Sequence, residues 1–187
     1  MNIRAVVRSA PGKVILCGEH SVVYGQPALA VPVSSLRAYA HVEPTALGTG
    51  CTIRAVDLGQ TLPLRALSRE QPLGLIVTLV LEALQVPEPD LELDLTSDLP
   101  VGGGMGSSAA VVVAAVASLL VEQGRDLDGT KDRREVFRLS RRVHDQCQSC
   151  RGSGIDVAAS TFGGYLVLEN RPGDSSRVRQ WRPPAGW

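Results

Sequence analysis

Cysteine is scarce in this sequence, and its four copies are widely separated: Cys17, Cys51, Cys147 and Cys150. Four scattered thiols in a chain of 187 residues are too few for the disulfide framework of a small secreted protein. We therefore expect reduced thiols. The Cys147–Cys150 pair has the spacing of a metal or redox motif. A zinc site would need two more ligands, and no second Cys or His pair supplies them. Two ordinary thiols near a helix end are therefore the favoured interpretation.

A charge excess of one sign and a long hydrophobic run are also missing. Nineteen basic residues balance nineteen acidic ones, which leaves no field that would gather nucleic acid or an anionic membrane. The longest largely apolar run, Ala109 to Leu120, is shorter than the roughly 20 residues that span a bilayer. Met1 to Ala10 lacks the hydrophobic stretch of a signal peptide. We therefore expect a cytoplasmic protein that binds neither nucleic acid nor membrane.

Strand and turn chemistry fills the first third of the chain. Short runs that are β-branched or alternate between apolar and polar residues are separated there by Gly, Pro and Ser. They predict strands at Arg4 to Ser9, Ala28 to Val33, Arg37 to Val42 and Cys51 to Val56. Two later runs of the same kind predict strands at Leu91 to Leu95 and Tyr165 to Leu168.

Helical patterns follow in the remaining two thirds. A capping box at Ser68 precedes the apolar stretch Leu73 to Leu84, and an apolar run that ends at Val121 indicates a buried helix. Asp132 to Gln146 has the spacing of an amphipathic surface helix. Strands followed by helices, without regular alternation of the two, predict an α+β fold. Residues 171–187 lack any apolar period, and we expect an irregular tail there.

A glycine cluster lies between the predicted strand Leu91 to Leu95 and the buried helix, from Ser97 to Ala110. Glycines let the backbone approach a ligand closely, and the N–H groups and dipole at a helix start favour phosphate oxygens. The pattern is neither a Walker A motif nor a dinucleotide fingerprint. On these residues alone, a tight strand-to-helix turn is nearly as good an interpretation as a phosphate site.

This glycine segment closely resembles the ATP-binding motif of the GHMP kinases, which have Leu where Met105 stands. The resemblance implies the α+β fold of that family's amino-terminal domain, which is related to domain 2 of ribosomal protein S5. It also implies ATP and Mg²⁺ as cofactors. The implied ATP-binding residues are Pro100, Gly102, Gly103, Gly104, Met105, Gly106, Ser107 and Ser108.

A second segment, Ala10 to Ala30, independently resembles the first motif of the same family, in the form that mevalonate kinases have. Without the resemblance, Lys13 and Glu19 could equally form a solvated ion pair, and His20 would more often be structural than catalytic. The resemblance implies that Lys13 neutralises charge near the reacting hydroxyl. Glu19 and His20 would then help to form the substrate pocket.

A carboxylate, Asp156, lies in a third Gly- and Ser-rich segment before a predicted strand. An Asx turn is the favoured interpretation from the residues alone. The segment resembles the Ser-Gly-x-Asp motif of the family, which implies that Asp156 accepts the proton from the acceptor hydroxyl. Mevalonate kinases have a magnesium-binding Glu eleven residues earlier, where this chain has Asp145. The resemblance therefore implies that Ser108 and Asp145 bind magnesium, with a shorter carboxylate at the second position.

The third segment also departs from the mevalonate kinase pattern. Ser149 to Gly152 replaces the usual His-Gly-x-Pro, and the wording around Asp156 is similar to that of phosphomevalonate kinases. We expect phosphorylation of a small-molecule hydroxyl, with mevalonate favoured by the first motif. The alternatives are phosphomevalonate, another sugar or alcohol acceptor, and a non-catalytic nucleotide-binding relative.

The resemblance covers Ala5 to Leu168, so we expect an amino-terminal GHMP domain at residues 1–170. Nothing after Gly164 resembles the third, carboxyl-terminal glycine motif of the family. We therefore expect that the carboxyl-terminal domain is absent and that this chain alone is weakly active or inactive. The expected partners are a small-molecule substrate and either a second copy of the chain or a separately encoded second half.

Overall fold

The computed structural model describes residues 5–67, 71–100, 102–127, 129–148, 152–170, 176–182 and 184. Within these ranges the chain forms seven strands: β1 (Val6–Cys17), β2 (Ala28–Pro44), β3 (Cys51–Ala55), β4 (Gln60–Pro63), β5 (Leu91–Ser97), β6 (Tyr165–Asn170) and β7 (Ser176–Trp181). The helices are α1 (Pro72–Leu84), α2 (Ser107–Glu122), α3 (Thr130–Cys147) and α4 (Ile155–Phe162). Short 3₁₀ helices span Ser21–Tyr24, Val56–Leu58 and Leu64–Ala66.

All seven strands belong to one sheet, with the order β4-β3-β5-β2-β6-β7 and with β1 paired to β2 outside that path. Every pairing is antiparallel except that of β3 with β5. That parallel connection is made through β4 and α1, because two parallel strands cannot be joined by a tight hairpin. The segregation of most strands from the helices confirms the predicted α+β class.

Alternation along the strands produces the core. Ala40 and Val42 of β2 lie opposite Leu95 and Leu93 of β5, and all four side chains are buried. The neighbouring residues of these strands point to the other face and are more exposed. Helix α2 packs on this apolar face and is buried on most of its circumference, as the unbroken apolar run predicts.

The amphipathic helix α3 packs beside α1 and α2 through its apolar stripe, Val136, Leu139 and Val143. A smaller second core lies beneath α4, β6 and the first 3₁₀ helix. The rings of Phe137 on α3 and Phe162 on α4 lie 5.3 Å apart and join the two cores. Helices α3 and α4 are therefore held against each other next to the sheet.

The structure corrects three predictions. The two strands predicted at Ala28 to Val33 and Arg37 to Val42 form one strand, β2, because a register shift opposite Pro11 and Gly12 lets pairing with β1 resume after positions 34–36. Asp156 lies on a helix rather than in a loop.

The third correction concerns the tail. Positions 176–181 form β7, which pairs with β6 and extends the sheet, so this part of the expected irregular tail is regular. Ser176, Val178 and Gln180 pair opposite β6 residues even though the segment has no apolar period, since an edge strand is held mainly by its backbone hydrogen bonds. The capping box predicted at Ser68 lies outside the described residues. None of the described helices combines the length and the apolar character that a bilayer crossing requires.

Candidate functional site

The glycine segment forms a loop that is fastened to β1. The backbone N–H of Lys13 donates to Met105 O at 2.9 Å, and the Lys13 ammonium donates to Gly104 O, also at 2.9 Å. A Cβ atom at Gly12 would lie 2.9 Å from Met105 O, so the absence of a side chain lets the strand and the loop come this close. The structure thus joins the first two predicted motifs, and it places the Lys13 charge at the edge of the loop.

Helix α2 begins directly after this loop with its first turn unneutralised. Gly106 is its N-cap residue, in the left-handed conformation (φ 72°), and no side chain caps the helix start. The first turn contains no acidic residue. Its N–H groups and the positive end of the helix dipole are therefore free to bind an anion beside the Lys13 ammonium.

The glycine loop is closely packed against Lys13 at Gly106 and open at Gly102 and Gly104. A Cβ atom at this position would lie 3.0 Å from Lys13 Cγ and would also demand a strained backbone. At Gly102 and Gly104, in contrast, a Cβ would meet no atom within 4 Å, so this side of the loop is open. The loop therefore has one tightly packed side, against Lys13, and one side on which a nucleotide phosphate could lie.

Helix α4 brings Asp156 to the same region. Gly154 is its N-cap residue, again left-handed (φ 75°), and Asp156 lies in the first turn. One carboxylate oxygen accepts the N–H of Val157 at 2.9 Å. The other, Oδ2, lies 3.8 Å from Nε2 of His144. Asp156 is held in a fixed orientation by its own helix, as a general base must be.

His144, on the last turns of α3, joins the two helix starts. Its side chain is 3% exposed, and Nε2 lies 3.1 Å from Ser108 Oγ as well as near Asp156. Sequence reasoning missed this residue. Its position twelve residues before Asp156 gave no recognisable motif, although a histidine within the apolar stripe of an amphipathic helix is a signal that could have identified it.

Asp145, the predicted magnesium ligand, follows His144 but makes different contacts. Its Oδ1 accepts the Gly152 N–H at 3.0 Å, and its Oδ2 lies 3.9 Å from Arg141 Nε. Within the described ranges, no three His, Cys, Asp or Glu side chains form a metal-binding group. Magnesium that is shared with phosphate oxygens needs only one or two protein ligands, and Oδ2 accepts no hydrogen bond from Arg141 at that distance. The donor chemistry of Ser108 and Asp145 therefore fits such an ion.

Glu19 and His20 lie in the exposed turn between β1 and the first 3₁₀ helix, where His20 is the N-cap residue. No hydrogen bond or ion pair connects either side chain with another described residue. The structure therefore joins Lys13 directly to the glycine loop, and it places Ser108 and Asp156 on either side of His144. Among the described residues it shows no such connection for Glu19 and His20, whose role stays a prediction.

Comparison with known proteins assigns the family. Residues 73–164, which include the loop, α2 and Asp156, match the GHMP kinases N terminal domain. The chain belongs to the GHMP kinase superfamily. Mevalonate kinase of Archaeoglobus fulgidus is 33% identical over 172 residues, which are 89% of this chain and 54% of that protein. This GHMP chain thus spans about half the length of the curated relatives that it matches.

Solved structures of GHMP kinases share its fold. The mevalonate kinase of Methanococcus jannaschii superposes with a TM-score of 0.77 at 20% identity, covering 98% of this chain and 57% of that one. The phosphomevalonate kinase of Streptococcus pneumoniae, solved with phosphomevalonate and AMPPNP, superposes with a TM-score of 0.78 at 18% identity, covering 96% and 60%. The predicted amino-terminal GHMP fold is confirmed.

Proposed function

We propose that this chain is the ATP-binding half of a kinase that phosphorylates mevalonate to 5-phosphomevalonate. The observation that supports it most is the convergence of three motifs: the Lys13 ammonium at the loop edge, the uncapped start of α2 and the Asp156 carboxylate joined to it through His144. The similarity of this chain to mevalonate kinases favours mevalonate as the acceptor.

Phosphoryl transfer depends chiefly on positioning and on neutralisation of charge. In the proposed reaction, the N–H groups of the glycine loop and of α2 hold the phosphates of ATP. Asp156 takes the proton of the acceptor hydroxyl, and the Lys13 ammonium offsets negative charge on the attacking oxygen and on the transferred group. Magnesium, when bound, would screen the phosphate charges.

Ser108 and Asp145 would hold that magnesium through a hydroxyl and a carboxylate oxygen. Asp145→Ala is therefore expected to raise the magnesium concentration that half-saturates activity by about tenfold, whereas Asp145→Glu should be tolerated, since it retains the carboxylate. A magnesium titration of turnover measures this. Asp132→Ala, at the opposite end of α3, is the control. If Asp145→Ala left the magnesium requirement unchanged, Asp145 would not be a magnesium ligand, and its contact with Gly152 would be its only assigned role.

The decisive experiment measures ATP consumption with mevalonate, phosphomevalonate and galactose in parallel. It is run on the 187-residue chain alone and on the chain mixed with the carboxyl-terminal half of a GHMP relative. We expect weak turnover of the chain alone and a gain with the added half, because a cleft open to water weakens the charge interactions that transfer requires. Ordinary mevalonate turnover by the unaided chain would refute the need for such a half or for a second copy.

Phosphomevalonate is the second candidate acceptor. The segment Gly152 to Asp156 is worded like that of phosphomevalonate kinases, and it lies in contact with Asp145 and Arg141 in the structure. Preference for phosphomevalonate over mevalonate in the parallel assay would select this alternative. Tight ATP binding without consumption of ATP on any of the three acceptors would instead indicate a non-catalytic nucleotide-binding relative.

A further inference from the structure

His144 is the only one of the chain's three histidines that is buried, and its polar side-chain contacts with other described residues all involve Nε2. Nε2 lies 3.1 Å from Ser108 Oγ, 3.2 Å from the Gln148 amide nitrogen and 3.8 Å from Asp156 Oδ2. A buried imidazole without partners would be costly, so these contacts account for its stability in this position. They also connect three separate elements: α2, α3 and α4.

The tautomer of His144 decides where the Ser108 hydroxyl points, because Nε2 can either donate to Ser108 Oγ or accept its proton. When Nε2–H donates to Ser108 Oγ, the serine proton must be directed away from the ring. Either end of the Gln148 amide can face the ring, so Gln148 adapts to this arrangement. Ser108 is the second residue of α2, at the uncapped helix start, so its freed O–H is available to an anion there. Asp156, the second residue of α4, has its Oδ2 3.8 Å from the same nitrogen, close enough for an electrostatic interaction but beyond hydrogen-bond distance.

We propose that His144 is a positioning residue, which fixes the Ser108 hydroxyl at the nucleotide phosphates and aligns it with the Asp156 carboxylate. It couples the start of α2 with the start of α4, so that the nucleotide and the general base are held in one frame. The inference rests on the proposed function for the identity of the ligand. The hydrogen bonds themselves belong to the chain without ligand, and this lets the two be tested separately.

The first test needs no ligand. Ring ¹⁵N signals of the three histidines are recorded by NMR in the wild-type chain, in Ser108→Ala and in Asp156→Asn. We expect the His144 ring signals to shift in both variants while those of the exposed His20 stay in place. Unchanged His144 signals in both variants would overturn the proposal, whether or not the chain binds nucleotide.

The second test measures the dissociation constant of a non-hydrolysable ATP analogue with magnesium. His144→Leu keeps the bulk of the side chain and is expected to weaken binding about tenfold, the size of one lost hydrogen bond. His144→Gln places an amide N–H near the position of Nε2 and should restore most of the affinity. The double variant with Ser108→Ala should bind no more weakly than the weaker single variant, because the two changes break one contact.

Val143→Ala is the matched control, a fully buried neighbour on the same helix turn. It should lower the melting temperature and leave analogue affinity unchanged. If the losses of analogue affinity were additive in the double variant, or equal in Val143→Ala and His144→Leu, then His144 would only stabilise the fold. Failure of the wild-type chain to bind the analogue would refute the proposed function instead, and the NMR test would still decide the role of His144.

Discussion

Helices α2 and α4 begin in the same way but differ in the residue that lies near His144. Each follows a glycine in the left-handed conformation, Gly106 at φ 72° and Gly154 at φ 75°, and neither glycine can supply a side-chain cap. The second residue is Ser108 in α2 and Asp156 in α4, and both contact the same nitrogen of His144. One backbone arrangement therefore occurs twice around a shared imidazole.

The second residue determines what each helix start can do. In α4 the carboxylate accepts an N–H of its own first turn, so the positive end of the helix is already neutralised. In α2 a neutral hydroxyl leaves that positive end available to an external anion. In the proposed reaction, the start of α2 therefore binds the phosphates and the start of α4 supplies the general base.

The largest expected effect removes the charge from α4. Asp156→Asn keeps the shape of the side chain but cannot accept a proton, so turnover should fall about 10²- to 10⁴-fold. The affinity for an ATP analogue should change little, because α2 is untouched. Steady-state kinetics and analogue titration measure the two separately. Near wild-type turnover in this variant would end the assignment of Asp156 as the base.

The next effect makes α2 resemble α4. Ser108→Asp puts a carboxylate at the helix start, where it neutralises the dipole and repels phosphate, and we expect a loss of analogue affinity of about a hundredfold. Ser108→Asn, of nearly equal size but uncharged, is the control and should lose much less. Calorimetric titration of both variants gives the comparison. If the Asp and Asn variants bound the analogue equally, the charge of the helix start would be irrelevant to binding.

A smaller effect concerns the left-handed glycine of α2. Ala at Gly106 would be strained and would press against Lys13 Cγ, so we expect stability to fall by about 1–2 kcal/mol and analogue affinity to fall about tenfold. Gly124, past the other end of α2, has a similar φ of 81° and no atom within 4 Å of a Cβ. Gly124→Ala should therefore show the stability loss alone in urea unfolding. A matching affinity loss there would attribute the Gly106 effect to strain rather than to the site.

The sequence predicted long, strongly patterned elements and missed those defined by tertiary contacts. The apolar run of α2 and the stripe of α3 identified both helices, because burial requires such periods. Helix α4 is only 8 residues long and lies between glycines, so its segment also matched a loop. Strand β7 has no apolar period, and its regular structure comes from pairing with β6.

The same limit applies to the site. Lys13, Ser108 and Asp156 could be named from motifs, since each lies in a segment with a recognisable wording. His144 could not be, because its importance comes from where α3 places it relative to α2 and α4. The spacing pointed to Asp145, whose magnesium role stays a prediction, and only the structure shows its contacts with Gly152 and Arg141.

The smallest expected effect lies far from both helix starts, at Cys51, and tests whether the core behaves independently of the site. Burial raises the pKa of the Cys51 thiol to about 12, and the nearby Glu88 and Glu122 carboxylates add to it. A raised pKa in the folded state gives stability that is complete below the ordinary thiol pKa and is lost as the pH rises towards 12. Between pH 8 and 9.5 the wild-type chain should therefore lose about 1 kcal/mol of unfolding free energy that Cys51→Ala does not lose. Urea unfolding of both proteins at the two pH values measures the difference.

At neutral pH, a thiol reagent should label the exposed Cys17 before Cys51 and reach Cys51 only on global unfolding, as peptide mass spectrometry would show. Equal pH slopes for the two proteins, together with rapid labelling of Cys51, would mean that β3 opens readily and that the large core is not the rigid support on which α2 rests.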